Sequence, residues 1–241
     1  MSMPFLRHKQ HQQLQSKADF MRTNNSYKEA VSVYLNSMLI NRNSAESYLG
    51  LGICYKNLGK IDKAINSLEK AALLDKNNFE TFYELGLCHI LNETPCKAIK
   101  CFIHAIELDP DNPDAIYQLG ISHEKCDEED MAIMIYQKLI ETTPAYLNAY
   151  LRKAYLLTKM ELYHPALELY KQVLKINPNY TKVYFDIALC FDKIGKQREA
   201  KRYYHKFLEY QSTSENASFA LKRMDKLRKL SSSNIKLQLV D

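Results

Sequence analysis

Apolar and small residues recur along this chain at steps of three and four, and the whole pattern returns every 34 residues. Between Ala45 and Asn78, Tyr48, Leu51, Gly52 and Tyr55 share one helical face, and Ile61, Ala64, Leu68 and Ala71 share another. The break falls at Gly59-Lys60, where glycine ends a helix by taking φ > 0 at little cost. This stretch predicts two short helices meeting along their apolar faces. Gly52 and Ala64 are small where the faces meet, so the backbones can approach closely. One such hairpin leaves apolar surface bare and needs neighbours of its own kind.

The neighbours are present. From Gly52, the step of 34 lands on Ala18, Gly86, Gly120, Ala154 and Ala188, all small. From Ala64 it gives Ala30, Ala98, Ala132, Ala166 and Ala200, and from Leu68 it gives Tyr34, Phe102, Tyr136, Tyr170 and Tyr204. Six consecutive units keep this spacing from about His11 to Ser214 without an insertion. On these residues, with Pro110, Pro144 and Pro178 closing successive units, the chain resembles the tetratricopeptide repeat (TPR) family over about five-sixths of its length. The resemblance implies an all-α fold, a right-handed α-solenoid (superhelix) of six helix-turn-helix units with a concave groove. It also implies binding to other proteins, the commonest role in that family.

The units are expected at 11–44, 45–78, 79–112, 113–146, 147–180 and 181–214, after a disordered leader over residues 1–10. Lys17 replaces an apolar residue in the first unit, as suits an end with one face in water. Residues 215–230 place Ala217, Ala220, Leu221, Met224, Leu227 and Leu230 on one helical face and Lys222, Arg223, Lys226 and Lys229 on the other. A capping helix is the preferred reading, over a basic helix for an anionic membrane or nucleic acid. Residues 231–241 are expected to form a flexible tail.

Composition narrows the function classes. Six glycines and seven prolines in 241 residues, amid many Ala, Leu, Lys and Glu, agree with helices throughout. A net charge of +5 is too mild to point to nucleic acid. The first residues lack the apolar run of a signal peptide and no window suits a membrane span, so a cytoplasmic protein is expected. Cys54, Cys88 and Cys190 occupy one equivalent repeat position, which predicts buried, reduced thiols rather than a disulfide framework.

In the family that the chain resembles, the groove is lined by the first helix of each unit. The fifth and ninth positions of that helix are Gln15 and Asp19, Leu49 and Ile53, Tyr83 and Leu87, Tyr117 and Ile121, Leu151 and Tyr155, Phe185 and Leu189. From the second unit onward this ladder is wholly apolar or aromatic, and an exposed strip of that kind calls for a cover. An amphipathic helix or an extended peptide with spaced apolar anchors would serve. The alternative is that adjacent helices or the chain's own tail fill the strip. Glu80, Glu84, Asp114 and Glu124 make the early part acidic, whereas Arg152 and Lys182 make the far end more basic, so a partner basic at one end is the electrostatic match. The basic and Asn clamp with which some relatives hold a terminal carboxylate is missing here: no ninth position carries Asn.

Enzyme readings fare poorly. Gly50-Leu-Gly52 with Gly59-Lys60 has neither the preceding strand nor the spacing of a phosphate-binding loop, and Ile61 stands where Ser or Thr belongs. Cys96, Cys101 and His104 include no Cys-x-x-Cys pair, so neither a metal nor a cofactor is expected. His89 and His123 fall at the position of Tyr55 and read as core imidazoles without a catalytic partner. The expected function is therefore a non-enzymatic scaffold, adaptor or assembly chaperone binding a protein or peptide. A self-assembling module that oligomerises through its end units or tail is the alternative.

Overall fold

A computed structural model describes residues 3–211 and 213–237. Among them the chain forms thirteen helices and no strand. Six hairpins follow one another: α1 (Met3–Thr23) with α2 (Tyr27–Ile40), α3 (Ala45–Asn57) with α4 (Ile61–Leu74), α5 (Phe79–Leu91) with α6 (Pro95–Leu108), α7 (Pro113–Lys125) with α8 (Glu129–Thr142), α9 (Leu147–Lys159) with α10 (Tyr163–Ile176), and α11 (Val183–Lys193) with α12 (Gln197–Tyr210). A thirteenth helix, α13 (Glu215–Leu237), ends the described chain. The helices gather into two compact units, Met1–Ile135 and Tyr136–Asp241.

Two expectations about the ends are corrected. The leader placed at residues 1–10 is helical from Met3 onward, because α1 continues upstream of the first repeat position. The tail placed at 231–241 is helical as far as Leu237, as α13 carries on through the serine run, and residues 238–241 lie outside the described residues.

Each hairpin turns by the same device. The second residue after the first helix adopts positive φ in every unit: Asn25, Gly59, Glu93, Asp127, Glu161 and Gly195, with φ between 55° and 87°. The next residue then donates its N–H to a carbonyl five residues back, as Lys60 does to Tyr55 at 2.9 Å and Leu162 to Leu157 at 2.8 Å. This satisfies a carbonyl that the helix end would otherwise leave bare. Helix starts are fixed more unevenly. Ser44, Asn78 and Asn112 accept a backbone N–H with their side chains, whereas Tyr146 at the same repeat position makes no side-chain cap.

Packing within residues 1–135 rests on small residues facing large ones. A Cβ built at Gly52 would lie 2.5 Å from Leu68, and one built at Gly86 would lie 2.7 Å from the Phe102 ring. Leu68 and Phe102 reach this position from the second helices and are fully buried, a burial that contributes about 2 kcal/mol or more each. A Cβ built at Gly50 would come even closer to the Tyr34 ring, at 2.2 Å, so its place in the Gly-x-Gly sequence is a packing requirement. The first helices α1, α3, α5 and α7 lie side by side as one row.

Within residues 136–241 the same scheme continues. Ala154, Ala166, Ala188 and Ala200 are fully buried, and Tyr170 and Tyr204 fill the large position. One further step of 34 from Ala188 reaches Lys222 on α13, exposed and long, where every earlier unit is small.

Two measurements test this account. Replacing Glu161 (φ 61°) by glycine relieves a left-handed backbone and should raise stability by about 1 kcal/mol in urea titration. Gly86→Leu should lower it by roughly 3 kcal/mol, because neither the ring of Phe102 nor the helix backbone can yield that much room.

Candidate functional site

The first-helix row of residues 1–135 begins with a polar recess of about 230 Å³, lined by Gln15, Asp19, Arg22, Glu46, Leu49 and Glu80 among others. Three carboxylates share it with one guanidinium. Asp19 accepts the Tyr34 hydroxyl at 2.6 Å and faces Arg22 Nη2 at 3.8 Å. Glu46 and Glu80 stand exposed at the starts of α3 and α5. The fit for a cationic or hydrogen-bond-donating group is direct.

Beyond the recess, the expected apolar strip divides. Leu49 and Ile53 were expected on an open wall, but both are buried, at 8% and 7% exposure, among Leu68, Leu85 and Cys88. Their neighbours in α4 and α5 cover them, so they act as core. Tyr83, Leu87, Tyr117 and Ile121 are only half-buried and keep a surface for contact. Tyr83 stacks on Phe79 at 5.6 Å and meets the Phe102 ring edge-on at 5.9 Å, which fixes its orientation. Burial, and then the charges of Asp114 and Glu84, push the Tyr83 hydroxyl above its ordinary value. Asp114 itself is exposed. Glu84, expected to orient a partner, is instead engaged by Lys56 of the preceding unit in a largely buried ion pair. Its charge is spent within the fold.

In residues 136–241, Leu151 and Leu189 are half-buried, and the Arg152 guanidinium lies 5.8 Å from the ring of Tyr155, which is 54% exposed. Phe185 was expected to be open to a partner. It is half-buried, as Tyr83 and Leu87 are, with the rings of Tyr204, Phe207 and Phe219 centred 6.0, 5.3 and 5.8 Å away, and Phe219 comes from α13. The terminal helix thus covers part of this end of the strip with the chain's own side chain. Arg223, assigned from sequence to the solvated basic face of that helix, bonds Asp192 through Nε at 2.5 Å and Nη2 at 2.8 Å. This bidentate pair helps to seat α13.

Several residues carry chemistry that the sequence did not reveal. Asp186 of α11 is pushed up to about 6 by burial. It shares its repeat position with Glu84 and Arg152, which gave no hint of burial. His123 has a carboxylate neighbour after all: Glu128 lies 2.6 Å from Nδ1, across the hairpin turn. His89 bonds Thr94 at 3.0 Å at the equivalent turn, and its imidazole is held below the ordinary value by burial and then by Lys97. Both imidazoles are buried and serve the turns. A second recess, of about 530 Å³, lies between α4, α5 and α6, where Leu73, Phe82, Leu85 and His104 form its wall. Among the described residues, no group of three or more His, Cys, Asp or Glu is placed to hold a metal ion, and no helix is long and apolar enough to cross a membrane.

Family models described as tetratricopeptide repeat match residues 45–78, 79–112, 101–134, 147–180 and 182–214. The chain belongs to the tetratricopeptide repeat family. No curated protein matches it. Among solved structures it is similar to MamA, with 29% identity and a TM-score of 0.65 over 68% of this chain and 96% of that one. It is also similar in fold to YrrB, a TPR protein with an unusual peptide-binding site, at 18% identity and a TM-score of 0.67, covering 78% of this chain and 97% of that one. PilF of Pseudomonas aeruginosa shares the fold at 15% identity and a TM-score of 0.72, with 90% and 99% covered.

The buried carboxyl of Asp186 has a measurable consequence. Its folded-state value of about 6 lies above the ordinary 3.8, so the native chain binds the extra proton between these values, and stability falls as pH rises through that window. Asp186→Asn should therefore gain about 2 kcal/mol over the native chain at pH 7, with the gain fading as pH falls from about 6 to about 4, in denaturant titrations at neutral and acid pH.

Proposed function

We propose that this chain is a protein-interaction scaffold, a cytoplasmic adaptor or assembly chaperone, that holds a peptide or helix of a partner on the first-helix row of residues 1–135. The observation that carries this reading is the adjacency of two surfaces. A recess bearing Asp19, Glu46 and Glu80 sits at the start of the row, and the half-buried Tyr83, Leu87, Tyr117 and Ile121 follow. A segment that fits both has a basic residue at one end and apolar or aromatic anchors beyond it. Tyr83 is held by its ring neighbours before any ligand arrives, so little side-chain freedom is lost on binding. Peptide binding by YrrB, a protein of the same fold, supports the mode but not the ligand. Leu49 and Ile53 form the floor beneath this site rather than contacts. Leu151, Arg152 and Tyr155 are further candidate contacts in residues 136–241, while Phe185 serves the cap.

Self-assembly is a second reading, favoured by the division of charge. Residues 1–135 carry 18 acidic against 14 basic side chains, and residues 136–241 carry 10 against 19, so unlike parts of two copies attract. Light scattering at low and high ionic strength separates the readings, since association between copies would disperse as salt rises.

For the peptide reading, the full chain is challenged with a random-peptide display library and the enriched sequences are measured by fluorescence anisotropy. Enrichment of a Lys or Arg beside spaced apolar anchors is expected. Affinity should weaken about tenfold or more on Tyr117→Ala with Ile121→Asp, while circular dichroism stays helical. Equal affinity of the double variant would assign binding to another surface.

A further inference from the structure

Cys96 and Cys126 stand apart from the chain's other cysteines. Cys54, Cys88 and Cys190 recur at one repeat position, are buried in the hairpin cores, and have thiols pushed up by burial to about 11, 12 and 11. Cys101 is half-buried, and burial pushes its thiol to about 11. The repeat positions of Cys96 and Cys126 hold no cysteine in any other unit: residues 62, 130, 164 and 198 are Asp, Asp, His and Arg, and residues 58, 92, 160 and 194 are Leu, Asn, Met and Ile. The repeat fold therefore has no use for a thiol at either place. Yet the two sulfurs come from different hairpins and meet at 2.9 Å, with Cys96 exposed and Cys126 half-buried.

The backbone brings them together. Pro95 opens α6 and sets Cys96 in its first turn, while Cys126 caps the end of α7 just before the left-handed Asp127. Both positions are fixed by helix ends rather than by free loops. A disulfide needs its sulfurs about 2.05 Å apart, and the present separation leaves less than roughly 1 Å for rotamer adjustment.

We propose that Cys96 and Cys126 are a redox modification site, a dithiol that glutathione disulfide closes reversibly into a bond between the two hairpins. The exposed Cys96 reacts first. Its thiol gives a proton to solvent, and the thiolate attacks one sulfur of glutathione disulfide, forming a mixed disulfide and releasing one glutathione thiolate. Cys126 then loses its proton to solvent and attacks the Cys96 sulfur, which forms the internal bond and expels the second glutathione. Two protein thiols are oxidised and one glutathione disulfide is reduced to two glutathiones. The Cys126 thiol is pushed up to about 11, first by desolvation, then by its bond to Cys96 and by the Glu128 and Asp127 carboxylates. The second step quickens with rising pH, and the closeness of the two sulfurs favours it over build-up of the mixed disulfide. Closure links residues 96 and 126, and it constrains the unfolded chain between them.

The full chain is incubated with glutathione disulfide at pH 8, quenched in acid, alkylated and mapped by mass spectrometry. The expected product is an internally linked Cys96–Cys126 peptide with bound glutathione scarce, and its melting midpoint should exceed that of the reduced chain by roughly 5 °C. Cys126→Ser should instead accumulate glutathione on Cys96, and dithiothreitol should reverse both products. Two results would overturn the proposal. In one, both thiols remain open to alkylation; in the other, the native chain retains glutathione on Cys96 as fully as Cys126→Ser does.

Discussion

A large side chain from each second helix fills the space left by a small residue on its first helix, and the rest of the structure depends on that fit. Gly52 lies against Leu68, Gly86 against Phe102, and Gly50 admits the ring of Tyr34. Because the pair recurs at every step of 34, the hairpins of residues 1–135 stack with first helices beside first helices. A surface built this way is a row of equivalent positions on successive helices. Its chemistry varies freely because the stacking does not use it. The same spacing that makes the core repetitive leaves the exposed row available for recognition.

The core was legible in sequence because its constraint is steric and periodic. A position that must be small betrays itself by being Ala or Gly six times over, and the turn position betrays itself by holding glycine twice. Glu93, Asp127 and Glu161 take the same positive φ without a glycine to announce it. Helix ends were less legible, since capping is local and tolerant. Tyr146 starts α9 at the position where Ser44, Asn78 and Asn112 start theirs. The residues before His11 and after Leu230 lacked the pattern, yet helices run through both stretches in the described residues.

The exposed row was legible only in part, because position on a helix does not determine what the next helix covers. Leu49 and Ile53 share their repeat positions with Tyr83 and Leu87, but α4 and α5 close over the first pair and leave the second half open. Phe185 would be a contact residue in an unending array. In this chain α13 lies where a seventh first helix would, and Phe219 covers part of the Phe185 ring. Charge behaves likewise: Glu84 and Arg223 look free in sequence, and each is neutralised by a residue from a neighbouring helix, Lys56 and Asp192.

What distinguishes this chain from its repeat pattern is therefore found where one unit departs from the others. Asp186 carries a buried carboxyl at a position that holds Glu84 and Arg152 elsewhere. The carboxylates of Asp19, Glu46 and Glu80 gather in one recess because the starts of α3 and α5 lie beside the last turns of α1 there. Two cysteines with no repeat counterpart meet across adjacent hairpins. Each departure costs the fold something small, a desolvated carboxyl or mutually repelling charges, and the stacking tolerates it because the small-to-large fit supplies the stability elsewhere. In a repeat protein the shared positions report the architecture. The unshared ones, once the fold has brought them together, are where individual chemistry resides.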